Sequence, residues 1–286
     1  MMMSFKEVFK TSWRNVFKYK SLWFMGIFVS GASILLEYNP DDINQFFSTL
    51  ASVGVINWFT GLAKAPAFLL LIILGLILAV VFALISVIAS AGLLAAVGQI
   101  KNEARADFKY NIKAGLSRFA PMIVAAVWFF IPLFFLFILT VIFYQFELFF
   151  LSSLVGILMF VYMFFIYLFK HFASCYIVLE QYPAWAAIMA GFKFFIRNWS
   201  SVLVAHLIDW GILLAFFLAS FLIAALVAIP FILIGAILIL FSGWSLPFVT
   251  IMIGIVVYGL VTIIMSGIRV CFSYNFLTHT YWQLKK

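Results

Sequence analysis

Six stretches of this chain, residues 21–36, 66–98, 120–143, 149–169, 201–241 and 247–268, run apolar almost without interruption. A helix needs about 20 such residues to cross roughly 30 Å of hydrocarbon. Continuous apolarity also excludes an outer-membrane barrel, whose strands alternate between lipid-facing and lumen-facing residues. Composition points the same way: 67% of the 286 residues are hydrophobic and 9% are charged, where a soluble domain carries about 45–50% apolar and ~25% charged residues. The expected fold class is an all-α integral membrane protein with six transmembrane helices.

Two segments are overlong. Residues 66–98 make a helix of about 50 Å, which must tilt or protrude from the lipid. In the segment 201–241, Pro230 is expected to end the fifth helix, because proline lacks the N–H that would continue it. Residues 231–241 are then left as an outer-face or re-entrant piece. Splitting that segment into two full spans would make seven and carry Lys285 and Lys286 to the outside, so six spans are kept.

Charge sets the orientation. Sixteen of the 17 Lys and Arg residues fall in the first 20 residues, 101–118, 170–197 and 269–286, with Lys64 the exception. The alternating segments carry Glu37, Asp41, Asp42 and Glu147. By the positive-inside rule, the expectation is a multi-pass protein of the cell membrane with both termini cytoplasmic. About twenty polar and aromatic residues precede the first span, unlike a cleavable leader, so that span is expected to stay as an anchor. The net charge of +8 lies in clusters beside the spans and not on a separate basic domain, so no nucleic-acid partner is expected. Two cysteines, Cys175 and Cys271, make no disulfide framework.

The cytoplasmic entries to the odd-numbered spans resemble one another. Lys10-Thr-Ser-Trp13-Arg14-Asn-Val-Phe17-Lys18 matches Met189-Ala-Gly-Phe192-Lys193-Phe-Phe-Ile196-Arg197, and Ile112-Lys-Ala-Gly115-Leu-Ser-Arg118 is a shorter relative. Each carries apolar residues at helical spacing: Phe5, Phe9, Trp13, Val16 and Phe17; Phe108, Ile112, Leu116 and Phe119; Trp185, Ile188, Met189, Phe192, Ile196 and Trp199. Each is crossed by cations, namely Lys6, Lys10, Arg14 and Lys18; Arg105, Lys109 and Lys113; Lys193 and Arg197. Such a helix suits the headgroup layer, aromatic side in the acyl boundary and cations toward anionic lipid phosphates. The chain therefore reads as one membrane domain of three repeats, residues 1–100, 101–180 and 181–286, each an interfacial helix followed by a transmembrane hairpin. After Asp41 and Asp42, the spacing of Ile43, Phe46, Phe47 and Leu50 predicts another short surface helix.

This pattern, carried by Trp13-Arg14 to Gly26 and by Tyr182-Pro-Ala-Trp185 to Trp199, resembles uncharacterised multi-pass bacterial families related to the membrane domain found ahead of some glycerophosphodiester phosphodiesterases. The resemblance covers nearly the whole chain. It implies topology and not phosphodiesterase activity, because the catalytic barrel that follows such domains is absent from this sequence.

Ionisable groups within lipid are costly and tend to be paired or functional. Counting the helical rise from the outer boundary puts Lys170, Asp209 and Arg269 at one level near the inner edge of the hydrocarbon, with His171 and His206 beside them. An ion-paired cluster of Asp209 with Arg269, Lys170 or both is expected there, the alternative being cations that snorkel independently. His171, Cys175, His206 and Cys271 have zinc-type side chains but no closely spaced ligand motif, so no metal is expected. His279, with Tyr274, Tyr281 and Trp282, reads as an interfacial belt. Ser86 and Ser90, Ala91 and Ala95, and Gly92 and Ala96 form small-residue rows suited to close helix packing.

No nucleophile elbow, phosphate loop or metalloprotease helix occurs in the sequence, so no enzyme and no cofactor are expected. A scaffold or accessory subunit of a membrane complex is favoured, because the middle of the membrane is short of polar residues. The alternative is a transporter, channel or lipid-handling protein gated near Asp209 and Arg269.

Overall fold

The computed structural model describes residues 4–36, 66–103, 105–242 and 245–285. Glu37, Asp41, Asp42, Lys64 and the surface helix expected around residues 43–50 lie outside these. The described chain is helical almost throughout: α1 Phe5–Lys18, α2 Ser21–Leu36, α3 Pro66–Glu103, α4 Phe108–Ser117, α5 Phe119–Gln145, α6 Phe149–Val178, α7 Ala184–Arg197, α8 Trp199–Ser242 and α9 Ser245–Lys285. Five helices, α3, α5, α6, α8 and α9, are long and apolar enough to cross a membrane, and the chain is a multi-pass membrane protein on that ground. At 16 residues, α2 reaches about 24 Å, short of a full span.

The fifth apolar segment does not end at Pro230. Helix α8 continues through it to Ser242, which corrects the expected break and the re-entrant piece after it. One proline removes a single backbone hydrogen bond, and lipid offers the rest of the backbone no substitute for helical pairing. Pro132 lies inside α5 in the same way.

A second correction concerns the C-terminus. Residues 269–285 are not an interfacial tail but the last turns of α9, and they form the centre of the molecule. Cys271, Phe272, Asn275, Phe276, Thr278, Thr280 and Tyr281 have no exposed surface. Around them gather two apolar clusters. One joins Val8 and Val16 of α1, Leu22 and Met25 of α2, Leu93 and Ala96 of α3 and Phe272 and Phe276 of α9. The other joins Leu94 of α3, Phe172 and Cys175 of α6, Ala187 and Phe194 of α7 and Tyr281 of α9.

Glycine makes this end tight. A Cβ on Gly26 of α2 would lie 2.2 Å from the Gly267 carbonyl oxygen of α9 and 2.6 Å from Cys271 Sγ, and one on Gly115 of α4 would lie 2.4 Å from the Ile88 carbonyl oxygen of α3. Backbones meet at both crossings, the use of small residues typical of membrane helices. Gly92, from the small-residue rows, sits in the second crossing.

The short helices α1, α4 and α7 close this packed end, each with three faces where the sequence offered two. On α1, Val8, Ser12, Asn15 and Val16 are buried, Phe9, Trp13 and Phe17 are exposed, and Lys6, Lys10, Arg14 and Lys18 are exposed beside them. On α4, Asn111 and Gly115 are buried while Phe108, Ile112 and Leu116 are exposed, as are Lys109 and Lys113. On α7, Ala187, Ile188, Gly191, Phe194 and Phe195 are buried, and Trp185, Met189, Phe192, Ile196, Lys193 and Arg197 are exposed. Val16 and Ile188, expected on the lipid-facing side, belong to the packed face.

Candidate functional site

Four helices bring their polar residues to one place above the packed end. Ser86 and Ser90 of α3, Tyr167, Lys170 and Ser174 of α6, Asp209 of α8, and Arg269, Ser273 and Tyr274 of α9 line a cavity of about 400 Å³. Met122, Ala125 and Phe129 of α5 supply part of its apolar wall. Lys170, Asp209 and Arg269 thus come from three helices into one enclosure. Ser86 and Ser90, read as packing residues, face the same space; Ser90 Oγ donates to the Val87 carbonyl at 2.9 Å.

The three charges do not form the direct ion pairs expected of them. No ion pair joins Asp209 to Arg269 or to Lys170 among the described residues. Instead the Asp209 side chain, itself buried, has Ser273 within hydrogen-bonding reach and Arg269 and His206 within electrostatic range. The physical reason lies in the roots of the side chains: two cations and one carboxylate stand on separate walls of a cavity, with space between them. Beside them, Trp210 Nε1 donates to Tyr167 Oη at 3.0 Å, which holds that part of the α6–α8 wall.

Neither histidine is among the residues that line the cavity. His206 has its Nδ1 2.9 Å from the Val202 carbonyl oxygen and its ring against Tyr167 and Phe172. His171 has its Nε2 3.2 Å from Thr278 Oγ1 and packs against Tyr274 at 5.1 Å. Both serve the contact of α6 with α8 and α9. Cys175 also meets Thr278, while Cys271 donates to the Leu22 carbonyl across the α2–α9 crossing. Both thiols are thereby occupied in helix packing.

A second cavity, of about 250 Å³, adjoins the first. Ser30 of α2, Leu213, Phe216, Phe217, Ser220 and Phe221 of α8, and Tyr258, Thr262, Met265, Ser266 and Arg269 of α9 line it. Leu213 and Arg269 belong to both linings. The polar residues that α9 brings to this second lining gather on one side of the helix. Along α9, Tyr258, Thr262, Ser266, Arg269 and Ser273 follow one another at intervals of four, four, three and four, which keeps them on one helix face. The spacing was open to inspection in the sequence, but hydropathy averaged over a whole segment hides a single polar stripe among four apolar ones.

The intended interfacial belt also changes place. His279 has Nε2 3.3 Å from Asn15 Nδ2 of α1 and its ring 5.2 Å from that of Trp282. Tyr281 Oη donates to Glu180 Oε1 at 3.3 Å, and Lys285 Nζ pairs with the same carboxylate at 2.5 Å. These contacts tie α1 and the α6–α7 turn to the end of α9.

No family model, no curated relative and no solved structure matches the chain.

Proposed function

We propose that this chain is a lipid-handling membrane protein that takes the phosphate-bearing headgroup of a membrane lipid into the cavity formed by Lys170, Asp209 and Arg269. One observation carries the reading: two cations and a carboxylate occupy a roomy cavity beside broad exposed apolar helix surface, including Leu213, Phe217 and Phe130. Ammonium and guanidinium groups supply charge-assisted hydrogen bonds to phosphate oxygens, and the guanidinium can do so with two parallel N–H groups. The serine and tyrosine hydroxyls around them suit the glycerol oxygens or water. Apolar surface outside accommodates acyl chains that remain in the bilayer.

In this reading α2 completes six spans as three hairpins, each led by a cationic surface helix, with both termini in the cytoplasm of a bacterial cell. The resemblance to the membrane domain associated with glycerophosphodiester phosphodiesterases fits a role near lipid headgroups without chemistry of its own. Lys10, Arg14, Lys18, Lys109, Lys113, Lys193 and Arg197 then hold the packed end against anionic lipid, each contributing about 1 kcal/mol of attraction near the surface. Membrane lipids are the partners, with no enzyme activity and no cofactor.

The second reading is a scaffold or accessory subunit, favoured by the wide apolar face of α5 and α6, where Phe130, Phe135, Phe150 and Phe160 are exposed. Lipid and a partner helix cover such a face equally well, whereas a partner helix leaves the charged cavity without a role.

The test is to purify the protein in mild detergent and weigh the intact complexes in the gas phase. Bound phospholipid is expected on the parent protein and at least a tenfold lower occupancy on the Lys170→Gln/Arg269→Gln variant. Equal occupancy on the two would defeat the reading in favour of the scaffold.

A further inference from the structure

The two cavities meet at Arg269, and the polar face of α9 runs through both. We infer that the α8–α9 seam is a passage along which a lipid headgroup moves across the bilayer while its acyl chains stay in the surrounding lipid. This rests on the proposed headgroup site and adds transbilayer movement to it.

A headgroup in hydrocarbon loses its water, and polar groups without partners there are costly. A passage must therefore offer replacement partners over most of the depth while leaving room at its side for the chains. The seam does both. From Ser273 to Tyr258 the stripe covers 16 residues, or about 22 Å of helical rise, against roughly 30 Å of hydrocarbon. Ser30 and Ser220 face it across the second cavity from α2 and α8. Thr262 Oγ1 already donates to the Tyr258 carbonyl at 2.9 Å, and Ser30 Oγ to the Ile27 carbonyl at 3.0 Å. Each hydroxyl is thus stable without a ligand and keeps its lone pairs for water or a headgroup donor.

The side of the passage is open. Leu213, Phe217 and Phe221 of α8 and Tyr258 and Leu260 of α9 are exposed, so acyl chains can lie against the same helices whose polar residues face the seam. Arg269 stands in both linings and can keep hold of a phosphate as it leaves the lower cavity for the upper one. Above Tyr258 the seam narrows. A Cβ on Gly254 would lie 3.0 Å from Phe231 Cβ and Cγ, so this phenylalanine presses on the α9 backbone one turn beyond the polar stretch. It forms the barrier that a moving headgroup must displace.

The experiment uses the full chain in phospholipid vesicles containing a phosphatidylglycerol labelled with nitrobenzoxadiazole, bleached from outside by dithionite. Empty vesicles lose about half of the signal, the outer leaflet. With the parent protein the loss is expected to approach completion. Thr262→Val/Ser266→Ala removes two hydroxyls at nearly constant shape and is expected to slow the second phase at least tenfold while leaving lipid occupancy in the mass measurement unchanged. Phe231→Ala is expected to speed it. Bleaching that stops at half with the parent protein, or proceeds unchanged with Thr262→Val/Ser266→Ala, overturns the passage. Headgroup binding fails separately, on the occupancy of the Lys170→Gln/Arg269→Gln variant.

Discussion

The two ends of α9 inhabit different surroundings. From Cys271 to Tyr281 the helix is buried over most of its surface, and Phe272, Phe276 and Tyr281 show no surface at all. Near its start, Ile253, Val256 and Leu260 are more than half exposed, as are Phe217 and Phe221 of neighbouring α8. The enclosed end is stabilised by contacts between side chains and between backbones, and Asn275 and Thr280 donate to carbonyls of α9 itself. The open end has apolar side chains with no protein around them and takes lipid as its solvent. Between the two lies the charged cavity, where neither solvent is complete and where ionisable groups can stay hydrated while touching the membrane.

That contrast makes unequal demands on substitutions of the same kind. The largest effect is expected at the α2–α9 crossing: Gly26→Val places methyl groups where the Gly267 carbonyl stands. Overpacking costs ~1–3 kcal/mol where side chains can shift, and here a backbone must move, so loss of the monodisperse species on size exclusion is the expected result. Gly156→Val in α6 meets nothing within 4 Å and is expected to leave elution unchanged. Equal behaviour would mean that the crossing is not closely packed.

Next in size is Tyr281→Ala, which removes a ring packed against Tyr176 and Phe194 and leaves a cavity. About 3–5 kcal/mol is expected for truncating a fully buried aromatic, read as a lower midpoint of thermal unfolding in detergent. Leu260→Ala on the open half exchanges one lipid-facing apolar group for another and is expected to lower that midpoint far less. Comparable shifts at the two positions would erase the division between halves.

Asn15→Ala tests whether α1 belongs to the packed end. It breaks the contact with His279 and is expected to cost ~1 kcal/mol, the net worth of one hydrogen bond, seen as faster hydrogen exchange in α1. Exchange unchanged there would detach α1 from the rest. The smallest effect belongs to Lys285→Met. Its pair with Glu180 is partly exposed on both sides, so solvent screening leaves it worth about 0–1 kcal/mol. A larger drop in the unfolding midpoint would show that the end of α9 is a latch and not a margin.

Much of this arrangement was legible in the residues, and the reasons for the rest are physical. Apolar runs longer than a bilayer announce helices, and the short cationic segments announce α1, α4 and α7, because both signals are local periodicities. Lys170, Asp209 and Arg269 were found by cost, since charges inside apolar runs need a reason. Their depth was counted from Pro230 as a helix end, which it is not, yet the three do line one cavity. The last turns of α9 were misread because Cys271-Phe-Ser-Tyr-Asn-Phe-Leu-Thr-His-Thr-Tyr281 mixes aromatic and polar residues as an interface does. A helix enclosed on all sides by other helices gives no amphipathic signal, and only the tertiary partners reveal it. The stripe from Tyr258 to Ser273 fell between the two scales, too polar for a core and too sparse to lower the hydropathy of its segment.

The central claim is that α1, α4 and α7 cap one packed end of the molecule on one side of the membrane. It is tested most directly by placing single cysteines at Lys18, Lys113 and Lys193 and labelling sealed vesicles with a membrane-impermeant maleimide. Cys175 and Cys271 are buried and contribute little background. All three positions are expected to react from the same side and to be shielded together from the other. Reaction of any one of them from the opposite side would contradict the shared packed end and the placement of the cavity above it.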